Sequence, residues 1–214
     1  MYRPKIALMA LVLAMSAFEA RADLVVNFDN VKAGSNFNGV KPGGDVGPTF
    51  TFSGATFKGG VVLNDTNFGS MATSSPNIYA TSDVHQLADG SSLPGVITGS
   101  LSFATTGISL DVLNGYYAGK FTLTAYAANN TILGTRTVSL GNYGTSSALG
   151  HLSLTTSKVI DHFSITSNQA DCQKVFAIDS VKFTTAVPEP SSVVLSCVAG
   201  LGLFAFRMRL RREA

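Results

Sequence analysis

The sequence contains no tryptophan, and between residues 23 and 185 it contains no glutamate. Its three glutamates, Glu19, Glu189 and Glu213, all lie outside that stretch. A glycosidase places two carboxylates about the bond it breaks. Here both would have to be aspartates, and no spacing pairs any two of the ten present. Cysteine is scarce: Cys172 stands in the body and Cys197 near the C-terminus. The two cannot make a disulfide framework, so Cys172 is a free thiol, an intermolecular link or a plain loop residue. His85, His151 and His162 are scattered, without zinc spacing to the cysteines and without an HExxH pattern. No GxSxG occurs, since Gly144-Thr145-Ser146-Ser147-Ala148 lacks the final glycine. Cys172, His162 and Asp161 supply the residue types of a nucleophile set, but nothing in the sequence joins them. No glycine-rich phosphate loop opens a helix. These absences leave enzymatic chemistry without support, and the chain is expected not to be an enzyme.

Charge is also sparse, and it is unevenly placed. The formal net charge of +2 comes from the ends, where Arg3, Lys5, Arg21, Arg207, Arg209, Arg211 and Arg212 lie. Residues 23–185 hold eight Lys or Arg against ten Asp, a net charge of −2. The basic balance of the whole chain therefore gives no reason to expect a nucleic-acid partner. The body is rich in Gly, Ser, Thr, Asn, Val and Phe, which are the residues of strands and tight turns. Its length suffices for one domain with a sizeable core.

The two ends carry the long apolar runs. MYRPK precedes Ile6–Phe18, and Ala20-Arg21-Ala22 follows. A basic start, a short apolar run and small residues before the break make residues 1–22 a signal peptide, cut by signal peptidase after Ala22. The alternative is a retained anchor, for which the run is short. At the other end, Val193–Phe206 carries no charge. As a helix this run is about 21 Å long, against a hydrocarbon core about 30 Å thick. With Ser191, Ser192 and snorkelling arginines it makes a transmembrane helix over 191–206. Pro188 and Pro190 set its start. The arginines stay on the cytoplasmic side and the body faces outward. The alternative is a buried C-terminal helix of a soluble domain.

Val187-Pro188-Glu189-Pro190-Ser191-Ser192, an apolar helix with Gly200 and Gly202, and Arg207, Arg209, Arg211 and Arg212 together resemble a PEP-CTERM sorting signal. The resemblance covers about residues 187–212 and implies an exported protein of a Gram-negative bacterium. It also implies that exosortase recognises Pro188-Glu189-Pro190 and cuts the tail. The precursor is then anchored in the inner membrane facing the periplasm, and its destination is the cell surface or extracellular matrix. The family is associated with exopolysaccharide and biofilm. The tail, residues 186–214, is an address and not a catalytic motif.

Between the ends, strand signals recur. They fall at 24–28, 48–57, 108–112, 120–127, 131–140, 151–156, 159–165 and 175–184, with a hairpin turn at Asn129-Asn130. Period-two alternation with Gly and Asn turns predicts antiparallel sheets with one wet face. No helical period of useful length appears between the ends. The fold class is all-β, a two-sheet antiparallel β-sandwich, jelly-roll-like, over 23–185. Residues 64–95 read as a long loop with short edge strands, the place where binding resides on a β scaffold.

The body is also similar to the sandwiches of other PEP-CTERM proteins and of carbohydrate-binding modules. Those open with a Phe-acid step and close with an Ile-Asp step, matched here by Phe28-Asp29 and Ile178-Asp179. The resemblance implies Asp29 and Asp179 as ligands of a structural calcium. Independently, Ala177, Asp179, Val181 and Phe183 point one way in a regular strand. If that is the core face, Asp179 needs a cation, hydrogen-bonding partners or a bulge. Alternatively Phe176, Ile178 and Ser180 face inward and Asp179 meets solvent or loop amides. Tyr116 and Tyr117, between glycines, are either a sugar-stacking pair or strand-end packing.

The expected function is therefore a non-enzymatic exported surface protein whose sandwich binds extracellular polysaccharide. A self-associating adhesive matrix protein is the alternative, and a glycan-active enzyme a more distant one. Replacing Pro188-Glu189-Pro190 by alanines is expected to leave the precursor unprocessed, with its C-terminal helix attached. Intact mass of the protein from its native host checks this, and normal processing would remove the exosortase reading.

Overall fold

The computed structural model describes residues 23–31, 33, 49–81, 95–170 and 173–185. The signal peptide, the Pro188-Glu189-Pro190 motif, the transmembrane helix at 191–206, the terminal arginines and Cys172 lie outside the described residues. Ten strands follow one another: β1 (Leu24–Val26), β2 (Phe50–Phe52), β3 (Ala55–Lys58), β4 (Val61–Asn64), β5 (Asn77–Ala80), β6 (Val96–Asn114), β7 (Gly119–Tyr126), β8 (Ile132–Leu140), β9 (Leu149–Ser167) and β10 (Phe176–Thr185). The described residues form no α-helix, only two short 3-10 turns at Asp65–Phe68 and Ser146–Ala148.

All strand pairs are antiparallel. The hydrogen-bonded order is β4-β5-β10-β6-β9-β7-β8, with β3 and then β2 added beside the first half of β6, and β1 beside β10. The expected two sheets are thus one continuous sheet folded into two layers. Phe121 on β7 and Phe176 on β10 stand 5.5 Å apart between ring centroids, although β6 and β9 lie between them in the order. Strands sit about 4.8 Å apart, so a flat sheet would separate the two by about 14 Å. The fold-over runs through β6 and β9, each 19 residues long. Register shifts between Ser100 and Thr105, and again before Gly107, mark the bend in β6. The signals at 151–156 and 159–165 are two halves of this one bent strand, β9.

Three local results differ from the sequence reading. Within the signal at 48–57, Phe50–Phe57 form a hairpin rather than one strand, because Ser53 and Gly54 both take positive φ (47° and 88°) and reverse the chain in two residues. β4 and the first half of β6 carried no recognised signal. β5 falls in the stretch read as loop, yet all four of its residues are buried. The Asn129-Asn130 turn is present, with Asn130 at φ 62°.

The main core lies between the layers and is dominated by phenylalanine. Phe57 meets Phe163 edge-on at 6.0 Å, and Phe163 lies 5.9 Å from Phe183. Phe28, at φ 62°, turns the chain after β1 and stacks on Tyr79 at 5.5 Å. Burial pushes the Tyr79 phenol well above its ordinary range, against a smaller lowering by the Gly60 amide, which donates to its oxygen at 3.2 Å. Gly99 on β6 is required because a Cβ there would strike the Phe163 ring at 2.1 Å. A second cluster, built on Leu63, Phe68, Ile78, Leu113 and Val175, packs on the other side of β5 and β10. That face is covered by the segment from Asp65 to Ala72, which contributes Phe68, Met71 and Ala72. Strand β5 is therefore apolar on both faces, which erases the period-two signal.

Candidate functional site

The loops at the Tyr116 end of the domain are fixed from beneath by buried amides. Asn114, the last residue of β6, is fully buried. Its Nδ2 donates to the carbonyls of Tyr117 at 2.7 Å and Gly141 at 2.6 Å. Its Oδ1 accepts from the Tyr116 amide at 3.2 Å and from Gln169 Nε2 at 3.2 Å. Gln169 is buried too and donates as well to the Tyr117 carbonyl. Buried amides with all groups paired hold a loop in one geometry. The β6–β7 loop is thereby tied to the β8–β9 loop, and Tyr143 N donates to the Tyr116 carbonyl at 2.7 Å. Asn142 Oδ1 closes the tie by accepting from Ala118 N at 2.8 Å.

Tyr116 and Tyr117 touch edge to face at 4.3 Å, with Tyr116 half-buried and Tyr117 56% exposed. They sit on a loop, not within a strand end, and Tyr117 is open to solvent. Tyr143, whose amide is bonded to the Tyr116 carbonyl, lines an open cleft of about 290 Å³ together with Gly69, Met71, Gly144, Thr145 and Ser146. The volume is near the lower end for small-ligand sites. The lining offers an aromatic ring, a thioether and hydroxyls, and no carboxylate, imidazole or thiol. This chemistry can stack and hydrogen-bond an uncharged polar ligand. Tyr143 was missed in the sequence, although Gly141-Asn142-Tyr143-Gly144 has the same glycine-flanked aromatic form as the Tyr116-Tyr117 stretch.

Asp179 and Asp29 lie elsewhere, under the segment that covers β5 and β10. Phe176 and Ile178 face the main core, so Asp179 points to the opposite face. Ser180 then takes φ 51° and the register against β6 shifts between Asp179 and Lys182. This bulge returns Val181 and Phe183 to the core. Asp179 is fully buried. Its Oδ1 accepts from Ser74 Oγ at 2.7 Å and Ser180 N at 2.6 Å. Its Oδ2 accepts from Ser74 N at 2.6 Å and Thr73 Oγ1 at 3.1 Å. Of these donors, the single Thr73 hydroxyl proton is shared with Asp111 Oδ2, its nearer acceptor. Asp29 Oδ1 accepts from Asn77 N at 3.0 Å, at a separate point of the same segment. The two acids thus have different hydrogen-bond partners, Asp29 at the start of β5 and Asp179 at Thr73, Ser74 and Ser180. Asp179 stands opposite Asp111 in the strand register, and Asp111 is held by Thr73 Oγ1 at 2.6 Å and His151 Nδ1 at 2.7 Å. Among the described residues no three His, Cys, Asp or Glu stand together as a metal site. Of the imagined nucleophile set, His162 Nδ1 does meet Asp161 Oδ2 at 2.9 Å.

No protein-family model and no curated protein matches the chain. Among solved structures, a DUF4465 family protein from Bacteroides caccae overlays with a TM-score of 0.50 at 12% identity, over 78% of this chain and all of that one. This likeness defines the class of fold, an all-antiparallel β-sandwich. The K2 cleaved adhesin domain of Lys-gingipain gives a TM-score of 0.47 at 11% identity, over 77% of this chain and all of that one. A family 6 carbohydrate-binding module gives 0.34 at 12% identity, over 66% of this chain and 89% of that one. The last two overlay too loosely to bear on fold or function.

Two outcomes follow from the Asp179 node. Asp179→Ala is expected to destabilise the protein by about 3 kcal/mol or more, since it strands buried donors of charge-assisted bonds; denaturant titration measures this. Excess chelator tests for a calcium ion at Asp29 or Asp179: a lowered melting temperature would show a cation bound to the folded state, and an unchanged one would remove it.

Proposed function

We propose that residues 23–185 form a non-enzymatic binding module for extracellular polysaccharide, exported by the N-terminal signal and sorted through the Pro188-Glu189-Pro190 tail by exosortase. The observation that carries the binding reading is the cleft at Tyr143. It combines an aromatic ring with hydroxyls, has no carboxylate, imidazole or amine in its lining, and adjoins loops held by Asn114 and Gln169. Sugars present apolar ring faces and many hydroxyls, and such a lining meets both demands. Preorganised loops spare the ligand the entropy of ordering them. The signal peptide and the sorting tail support placement of the body outside the inner membrane, at the cell surface or in the matrix.

An adhesive, self-associating role has one observation in its favour. Among the described residues β8 pairs only with β7, and Ile132 at its start is 59% exposed. An open strand edge is a template for a second chain.

Titration calorimetry of the full chain in detergent against soluble neutral oligosaccharides tests the cleft. Tyr143→Ala is expected to weaken a measured Kd about tenfold, the loss of an aromatic contact and its buried area. Unchanged affinity in that variant would remove the cleft from the account. Concentration-dependent assembly without any glycan response would favour the adhesive reading.

A further inference from the structure

The outward face of the layer built from β3, β6, β9, β7 and β8 is a grid of hydroxyl side chains. Inward positions on these strands, such as Phe57, Ile97, Phe163, Ile165, Phe121 and Leu123, are buried in the core, so their neighbours face out. Strand register aligns those neighbours in rows. One row crosses Thr98, Ser164, Thr124 and Thr135, of which Thr124 is buried by its neighbours. The next crosses Thr166, Thr122 and Thr137. On the other side, a third crosses Ser100, His162 and Tyr126. Rows run across strands about 4.8 Å apart and are separated by about 6.7 Å, two residues along a strand.

The chemistry of this face is narrow. Lys58, paired with Thr98, marks one margin, and Lys120, paired with Ser139, another. Between them the three rows carry no Lys, Arg, Asp or Glu, whereas about a quarter or more of a soluble surface is ordinarily charged. Neighbouring hydroxyls engage one another, with Thr122 Oγ1 and Thr137 Oγ1 3.0 Å apart and Tyr126 Oη and Ser164 Oγ 3.3 Å apart. A hydroxyl in one such bond keeps acceptor capacity for an outside donor. At the end of the third row Tyr126 and His162 stack at 4.8 Å with planes 7° apart, and both remain partly exposed. The charges bordering these rows are few and of both signs, Lys58 and Lys120 at the margins and Asp161 against His162, so no field of one sign draws a polyion and a neutral partner fits the face.

We propose that this face is a second binding surface, for an extended neutral polysaccharide lying along the hydroxyl rows with one ring against the Tyr126–His162 stack. The surface spans four strands, about 14 Å, and presents repeated hydroxyls rather than a pocket, which suits a polymer instead of a short sugar. It shares no residue with the Tyr143 cleft and does not depend on it.

The test is sedimentation of the full chain in detergent with two insoluble neutral polymers, amorphous cellulose and granular α-glucan. Retention on at least one is expected. The triple variant Thr98→Lys, Thr135→Lys, Thr137→Lys places charge at three exposed positions and is expected to lose about tenfold or more in affinity. Tyr126→Ala is expected to lose about two- to tenfold through the stack alone. Thermal melts confirm that each variant is folded, and Tyr126→Ala decides the matter if the triple variant is not. Tyr143→Ala is expected to sediment like the wild type. The proposal is overturned by no retention on either polymer, by a folded face variant that binds as the wild type does, or by loss of retention in Tyr143→Ala alone. Binding of soluble oligosaccharide to the cleft is read separately, so either surface can fail without the other.

Discussion

The buried carboxylate of Asp179 is the interaction on which the described fold depends. A charge removed from water must be met by donors or it costs several kcal/mol. Here the Ser74 amide and hydroxyl and the Ser180 amide meet it, with the Thr73 hydroxyl shared between it and Asp111. The same bonds seat the 73–74 segment on β10. Residues Met71 and Ala72, just before it, thereby reach the apolar face of β5 and β10. The positive φ at Ser180 solves a further problem. Phe176 and Ile178 are two residues apart, as are Val181 and Phe183, but the second pair is one position out of phase with the first. A bulge takes up the extra residue, so both pairs reach one core.

Covering both faces of β5 and β10 explains why one layer looks so unlike the other. That layer is buried on its outer side by a loop segment, whereas the layer containing β7 and β8 keeps a wet face of hydroxyls. The two candidate binding surfaces reflect this asymmetry. The cleft lies where the covering segment, at Gly69 and Met71, meets the β8–β9 loop. The hydroxyl grid lies on the uncovered face. In each, the scaffold supplies rigidity and the exposed residues supply mostly neutral polar chemistry.

The missing glutamates and tryptophans take on a meaning in this setting. A wet sheet face built with Thr and Ser instead of Lys and Glu costs little stability, because Thr fits a strand well. It does change what the surface can bind. Without tryptophan, stacking falls to tyrosines, and the exposed ones sit either on amide-pinned loops or against a histidine.

How much was legible in the sequence can be argued from particular residues. Strands with one wet face, such as β7 and β8, announced themselves through alternation, and the Asn129-Asn130 turn did so through its tolerance of positive φ. β5 did not, because burial on both faces leaves no alternation to read. Ser53-Gly54 was hidden inside an aromatic run that continues on either side of the turn. The need of Asp179 for partners or a bulge followed from elementary electrostatics, yet which partners answered it depended on Thr73 and Ser74, more than a hundred residues earlier in the chain. Tyr116 and Tyr117 were visible as exposed aromatics between glycines, while Tyr143 joined them only through the Asn114 ties. The sequence by itself determined the all-β class of the body, its sparse charge and the apolar runs of its two ends, since these rest on local composition and period. The tertiary structure alone decided which acids share a node, which face stays wet and where the tyrosines meet, since each is a contact between segments that no local pattern encodes.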